Sequence, residues 1–390
     1  MLQSWLPEGG TNLFQAIKAK CTEAEMRGKT LYRLSIGQPA GPALLSAREA
    51  AVNAVKSDKQ SMHEYQDNGS PGVPDFAKRF INAHLNNHLP ENVAYLPIPG
   101  IKPMLGLIPL ACGVAYRQTN VGTMTQPGYP TPADWCSYLR VYHYSLPLNT
   151  KNAFRFSTLD IERSTNLLMV NWPHNPSGQI ATLGWWMDIC KYCAEKKIRL
   201  FNDGAYIILS HSGESFSLAE IAPSFPDLSW AEAYSASKVI GNGTGWRIGA
   251  IVGSPDFVAD IATIKGNSDS GFVAPMAAGV LYAIENDKNS IGKYRQMYKR
   301  RLDVLIEILT KRGMKLAVKP GAGFFTLWLV PKMAFGKKIK DAQLFNFLMI
   351  ERTGVVGVHF HPYIRYAVTG DVEAMAPQIE AAFNSAKVSY

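Results

Sequence analysis

Fifteen residues constrain this chain more than any others: Ser235-Ala236-Ser237-Lys238-Val239-Ile240-Gly241-Asn242-Gly243-Thr244-Gly245-Trp246-Arg247-Ile248-Gly249. Trp230–Tyr234 before them and Ile248–Gly253 after them read as short buried strands. A lysine is therefore held on a loop between two strands of an internal sheet, beside Ser235, Ser237, a glycine-rich turn and Arg247. These are the requirements of a Schiff-base lysine next to a phosphate site. An apolar or cation-rich setting lowers the amine pKa and frees a neutral nucleophile. Hydroxyls, turn amides and one guanidinium hold a phosphate dianion. Taken alone, an ordinary loop with a solvent-facing lysine is the plain alternative. A dinucleotide fingerprint is not, because a strand follows the glycines where a helix should begin.

Composition narrows the class. The chain has 390 residues, 47% hydrophobic and 18% charged, enough for a large core in two lobes. Its formal charge of +9 is scattered, with only short clusters such as Lys196-Lys197 and Lys337-Lys338, so no nucleic-acid partner is expected. An odd count of five cysteines points to a reducing compartment. Cys190 and Cys193 form a C-x-x-C inside a helical run with no second pair, so no metal site is expected. The N-terminus reads without a secretion signal, and the apolar stretch Met104–Tyr116 is too short and broken to span a bilayer. The expectation is a soluble cytoplasmic protein with no membrane partner.

Along the chain, Leu13–Arg27 reads as an amphipathic helix and Leu31–Ile36 as a strand entering Gly37-Gln38-Pro39. A glycine before X-Pro lets a backbone amide approach a ligand, although an ordinary strand exit reads the same way. Helices are expected over Leu44–Ser57, Pro74–Asn86, Pro103–Cys112 and Trp185–Lys197, and a long helical region over Ile284–Arg312. The strand Ala94–Pro97, then Gly100-Ile101-Lys102, then a helix offers free N–H groups to a phosphate. Strand Val121–Thr125 precedes Gln126-Pro127-Gly128-Tyr129-Pro130, whose prolines present an aromatic ring rigidly. The apolar run Leu167–Val170 leads through Asn171 into Trp172-Pro173-His174-Asn175-Pro176-Ser177-Gly178, and Arg199–Asn202 delivers Asp203 at a strand end. A carboxylate there is costly unless paired, and that edge of a parallel sheet is where ligands bind. Arg365, on the otherwise apolar Gly357–Ala367 segment, needs an anion that a guanidinium grips in two places.

Together these segments resemble the fold-type-I pyridoxal-phosphate (PLP) aminotransferases, in the aspartate/diaminopimelate-like group, over roughly Leu31 to Ala367. The lysine stretch resembles the family's S-x-S-K…G-x-R-x-G, with the interval from Lys238 to Arg247 one residue longer than usual. Either the loop bulges at Gly241-Asn242-Gly243 or the arginine reaches the phosphate from a shifted position. The resemblance implies an α/β fold: a large domain with a mostly parallel central sheet flanked by helices, plus a small α+β domain. The implied division is residues 1–46 contributing to the small domain, 47–285 forming the large PLP-binding domain and 286–390 the small domain.

The resemblance also implies roles. Lys238 is the catalytic amine. Gly100, Ile101 and Lys102 (through their amides), Ser235, Ser237 and Arg247 surround the cofactor phosphate, joined by Tyr65 from a second subunit of a homodimer. Tyr129 stacks on the pyridine ring, Asn175 and Tyr206 hydrogen-bond its 3′-oxygen, and Asp203 pairs with its nitrogen. Gly37, Asn175 and Arg365 meet the substrate carboxylate, while His174 is a packing residue. The expected reaction moves an amino group between an L-amino acid and a 2-oxo acid. A lyase or cyclase on the same fold is the alternative, and a PLP-sensing regulator would need a DNA-binding extension that the chain is not expected to carry.

Overall fold

The computed structural model describes residues 13–85 and 89–390. Seven strands make its main sheet: β1 (Ala94–Ile98), β2 (Asn120–Thr123), β3 (Tyr142–Ser145), β4 (Leu167–Val170), β5 (Arg199–Asp203), β6 (Trp230–Ser235) and β7 (Gly249–Gly253). Their order is β1-β7-β6-β5-β4-β2-β3. β6, β5, β4, β2 and β3 run parallel, and β7 lies antiparallel between β1 and β6. β4, β6 and β7 are buried along their whole length, and apart from Glu232 in β6 their residues are the apolar and small ones that a sheet covered on both faces requires. One face packs on helices Ile101–Ala111 and Pro255–Gly266 through Met104, Leu105, Phe257 and Ile261. The other is covered by Phe76–His84, Leu183–Lys196 and Ala274–Asn286.

A second sheet, β8 (Leu316–Val318), β9 (Phe325–Leu329), β10 (Val358–Phe360) and β11 (Tyr363–Ala367), is antiparallel in the order β10-β11-β9-β8. Its core joins Trp328, Ile364 and Tyr366 to Leu305 and Leu309 of the helix Lys288–Lys311 and to Phe383 of the last helix, Val372–Ala386. The N-terminal helix Leu13–Met26 packs Ile17 and Cys21 against Ile350 of Ala342–Thr353.

Several expected elements differ in extent, for local reasons. The helical region 284–312 is two helices, because Asp287 caps the second by accepting from Ser290 N at 3.3 Å. Leu31–Ile36 is not a strand beyond Tyr32–Arg33. Its later acceptors serve other partners: Leu34 O takes Ala367 N, Ser35 O takes the Arg365 guanidinium and Ile36 O takes Thr369 Oγ1. The helix expected over Pro74–Asn86 spans Phe76–His84, and Asn86 lies outside the described residues. Gly357–Ala367 is a hairpin rather than one strand. Among the described residues, no helix is long and apolar enough to cross a membrane.

Candidate active site

The C-terminal ends of β4, β5 and β6 face β11 of the smaller sheet across a cavity of about 250 Å³. Gly37, Ile101, Lys102, Tyr129, Asn175, Asp203, Tyr206, Ser235, Ser237, Lys238, Arg247 and Arg365 all line it. These residues span most of the sequence, and the parallel topology converges them. Two expected residues do not line it. Gly100 sits immediately behind its wall, and Tyr65 is 77% exposed on the outside of the chain.

One end of the cavity is built for an anion. Gly100 precedes the helix Ile101–Ala111 with φ +78 and no side-chain cap, leaving the first helix amides free. The positive φ of Gly100 calls for glycine, and a Cβ there would lie 2.8 Å from Nη2 of Arg247 and push the guanidinium aside. Arg247 donates to Thr244 O at 3.2 Å, Ser235 Oγ donates to Ser237 Oγ at 2.9 Å, and Lys238 Nζ reaches Ser237 Oγ at 3.3 Å. The longer interval between Lys238 and Arg247 is taken up by a bulge. Gly241 adopts φ +72 and bridges to Ala43, and Gly243 N donates back to Gly241 O at 3.1 Å. Arg247 thereby still lines the lysine's cavity.

The middle holds an amine and a carboxylate that burial holds away from their ordinary states. Burial lowers the Lys238 pKa to about 8, with Asp203 opposing the shift and Arg247 adding to it. Burial raises Asp203 to about 6, against the Ala205 amide and the charge of Lys238. Burial likewise raises the Tyr206 phenol. An amine half neutral at about pH 8 and a buried carboxylate share this part of the cavity, the groups that an electrophile and a cation would engage.

The far end is arginine. Burial lowers Arg365 to about 10, still a cation at neutral pH. It donates to Asn175 Oδ1 and to Ser35 O, each at 2.8 Å, and lies 4.2 Å above the Phe325 ring. Its buried Nε has no hydrogen-bond partner. His174 is buried away from this chemistry, paired with Ser177 Oγ at 2.7 Å and held neutral with a pKa of about 3.

Sequence reasoning gave no role to Asn171, Leu105, Ala205, Phe14 or Thr244, which also line the cavity. Asn171 donates to Asp203 O at 2.8 Å and accepts from Asn175 N at 2.9 Å, tying together two of the expected residues. The four-residue step from Asn171 to Asn175 was its available signal. Thr244 had none, since its position follows from the bulge.

The aminotransferase class I and II family model matches residues 29–377, and the chain belongs to that family, a family of PLP-dependent enzymes. It is therefore a PLP-dependent aminotransferase. It is 27% identical over 346 residues to the LL-diaminopimelate aminotransferase of Methanocaldococcus jannaschii, covering 87% of this chain and 80% of that protein. It is 27% identical over 384 residues to the LL-diaminopimelate aminotransferase of Syntrophobacter fumaroxidans, covering 94% of each. The fold matches the aspartate aminotransferase of Thermus thermophilus with maleate at a TM-score of 0.79 and 22% identity, over 97% and 99% of the two chains. The cavity suits PLP on its own chemistry: an anion cradle at Gly100 and Arg247, a partly neutral amine, and a buried carboxylate whose raised pKa a further cation would lower.

Proposed function

We propose that the chain moves an amino group between an L-α-amino acid and a 2-oxo acid with Lys238 as the catalytic base and the covalent holder of the cofactor. The observation that carries this is the Lys238–Asp203 arrangement, an amine with a pKa of about 8 beside a carboxylate of about 6 in one cavity. In this reading Asp203 pairs with the ring nitrogen, and Tyr206 and Asn175 hold the 3′-oxygen while Tyr129 covers the ring. The amides of Gly100, Ile101 and Lys102, the hydroxyls of Ser235 and Ser237, and Arg247 hold the phosphate. When bound, PLP supplies the electron sink that makes the substrate α-proton acidic. Lys238 Nζ takes that proton from the α-carbon and returns it on the other side of the transfer. Arg365, supported by Asn175 and with Gly37 beside its guanidinium, orients the α-carboxylate so that the α-hydrogen faces Lys238.

Two finer features belong to the same reading. A homodimer would bring the exposed Tyr65 of each copy to the partner's phosphate, and would cover Leu45, Val52, Val55, Val273 and Tyr282, each more than half exposed. Five buried free cysteines suit a reducing compartment, which the cytoplasm provides. For the donor we propose an amino acid with a charged far end, with 2,6-diaminopimelate the first candidate. Both named relatives carry that substrate, and Lys102 adds a cation to the cavity wall. Steady-state rates across diaminopimelate, aspartate, glutamate, alanine and phenylalanine test this. We expect kcat/KM for diaminopimelate to exceed that for alanine by about 10²-fold or more. A preference for phenylalanine or alanine would reject the assignment.

A further inference from the structure

Glu232 is a carboxylate in the middle of β6, fully buried in an otherwise apolar strand, and it lines no part of the cofactor cavity. Its two oxygens receive five donors. Oε1 accepts from Asn202 Nδ2 at 2.6 Å and from Leu218 N at 3.1 Å. Oε2 accepts from Tyr234 OH at 2.7 Å, from Ala219 N at 2.8 Å and from Ser217 Oγ. An anion so deep persists only when its lone pairs are met this completely.

Asn202 stands opposite Glu232 in the β5–β6 register and immediately precedes Asp203. With its Nδ2 drawn toward Glu232, the same side chain grips the main chain of Trp172 at both ends. Trp172 N donates to Asn202 Oδ1 at 2.8 Å and Asn202 Nδ2 donates to Trp172 O at 3.0 Å. Trp172 lies in the turn that leaves β4. Three residues on, Asn175 receives Arg365 at 2.8 Å, while Asn171 on the other side holds Asp203 O and Asn175 N. Tyr234, bound to the same carboxylate, continues directly into Ser235, Ser237 and Lys238. Glu232 therefore contacts β5 and β6 directly, and reaches the turn after β4 through Asn202, at the strand ends that carry Asp203, Lys238 and Asn175.

We propose that Glu232, acting through Asn202, is a positioning residue that sets the placement of Asn175 and Asp203 for cofactor and substrate. The side-chain clamp replaces strand pairing where β4 and β5 diverge, because Asn202 supplies to Trp172 the donor and acceptor that a neighbouring strand would supply. Glu232 helps fix which way round Asn202 presents its amide. The flipped amide would set Oδ1 against both Glu232 Oε1 and Trp172 O, so Glu232 and Trp172 together hold the matched orientation.

This rests on the cofactor assignment above, and the test separates the two. The dissociation constant of PLP from the apoprotein is measured by fluorescence quenching, together with KM, kcat and the unfolding midpoint. The variants are Asn202→Ala, which cuts the arm but leaves four of the five donors on Glu232, and Glu232→Gln, whose NH2 must face a backbone N–H of Ala219 or Leu218. We expect Asn202→Ala to raise the PLP dissociation constant and the amino-acid KM by about tenfold or more while remaining folded. Glu232→Gln should raise the same two constants by at least about threefold, less than Asn202→Ala. A lowered unfolding midpoint in Asn202→Ala with unchanged PLP affinity and KM would overturn the positioning role and leave a structural one. Glu232→Gln with wild-type PLP affinity and KM would also overturn it. Failure of the wild-type apoprotein to bind PLP would instead reject the underlying assignment.

Discussion

Lys238→Ala is expected to lower the transamination rate by at least about 10⁴-fold while the folded protein still takes up PLP non-covalently. The cradle proposed for the phosphate, Gly100, Ile101 and Arg247, does not involve the amine, so affinity falls less than rate. Borohydride reduction followed by peptide mass mapping should place pyridoxyl label on Lys238 in the wild type and on no residue in the variant. The lowered amine pKa gives this a pH signature. Below pH 8 the amine is a cation and attacks slowly; above it the neutral form dominates, so the rate of covalent PLP capture should climb through about pH 8. Capture with a midpoint near the ordinary lysine value of about 10.4 would show that burial does not tune the amine.

Asp203→Asn is expected to cut kcat/KM by about 10³-fold, because a neutral amide does not hold a proton on the ring nitrogen. The same change should make the apoprotein more stable. Asp203 has its pKa raised to about 6 by burial, so folding is penalised for ionising it. Below about pH 4 the carboxyl is neutral folded and unfolded, and the variant gains nothing. Between pH 4 and 6 the folded state binds more protons than the unfolded, so wild-type stability from this group falls as pH rises. Above pH 6 the full cost is present, about 2–3 kcal/mol after allowing for water in the open cavity. Asparagine keeps the bond from Ala205 N, made at 3.1 Å, and removes the charge. Urea denaturation of the two apoproteins at pH 4 and pH 8 measures this, with the gap opening only at the higher pH. Equal or lower stability of the variant at pH 8 would mean that the carboxylate is satisfied without a cofactor.

Both effects fall on residues that stand out in the sequence for one reason. Lys238, Asp203 and Arg365 are charges next to or within apolar strand patterns, and such charges need a partner. Arg247 is legible as a cation within a glycine-rich turn, although only the structure decides that the loop bulges at Gly241 and keeps it in the cavity. The sheet is legible for a related reason, since buried parallel strands are continuous apolar runs. What escapes a linear reading depends on register and on the third dimension. Glu232 and Asn202 are 30 positions apart, and their meeting depends on β5 pairing with β6 in one register. Asn171 gains its role only when Asp203 is delivered beside it. Leu31–Ile36 has a strand's composition, yet its carbonyls are taken by Ala367, Arg365 and Thr369. Tyr65 is an exposed loop tyrosine on the single chain, and only the family resemblance and the proposed dimer suggest a role for it.

The most direct test is a single half-turnover. PLP-loaded enzyme is mixed with an amino donor in the absence of any 2-oxo acid, and the released products are counted per subunit. The expected result is one equivalent of the matching 2-oxo acid, then a halt, with turnover resuming only when an acceptor oxo acid is added. Continuous release of ammonia or of an elimination product without an acceptor would contradict amino-group transfer and establish a lyase on the same fold.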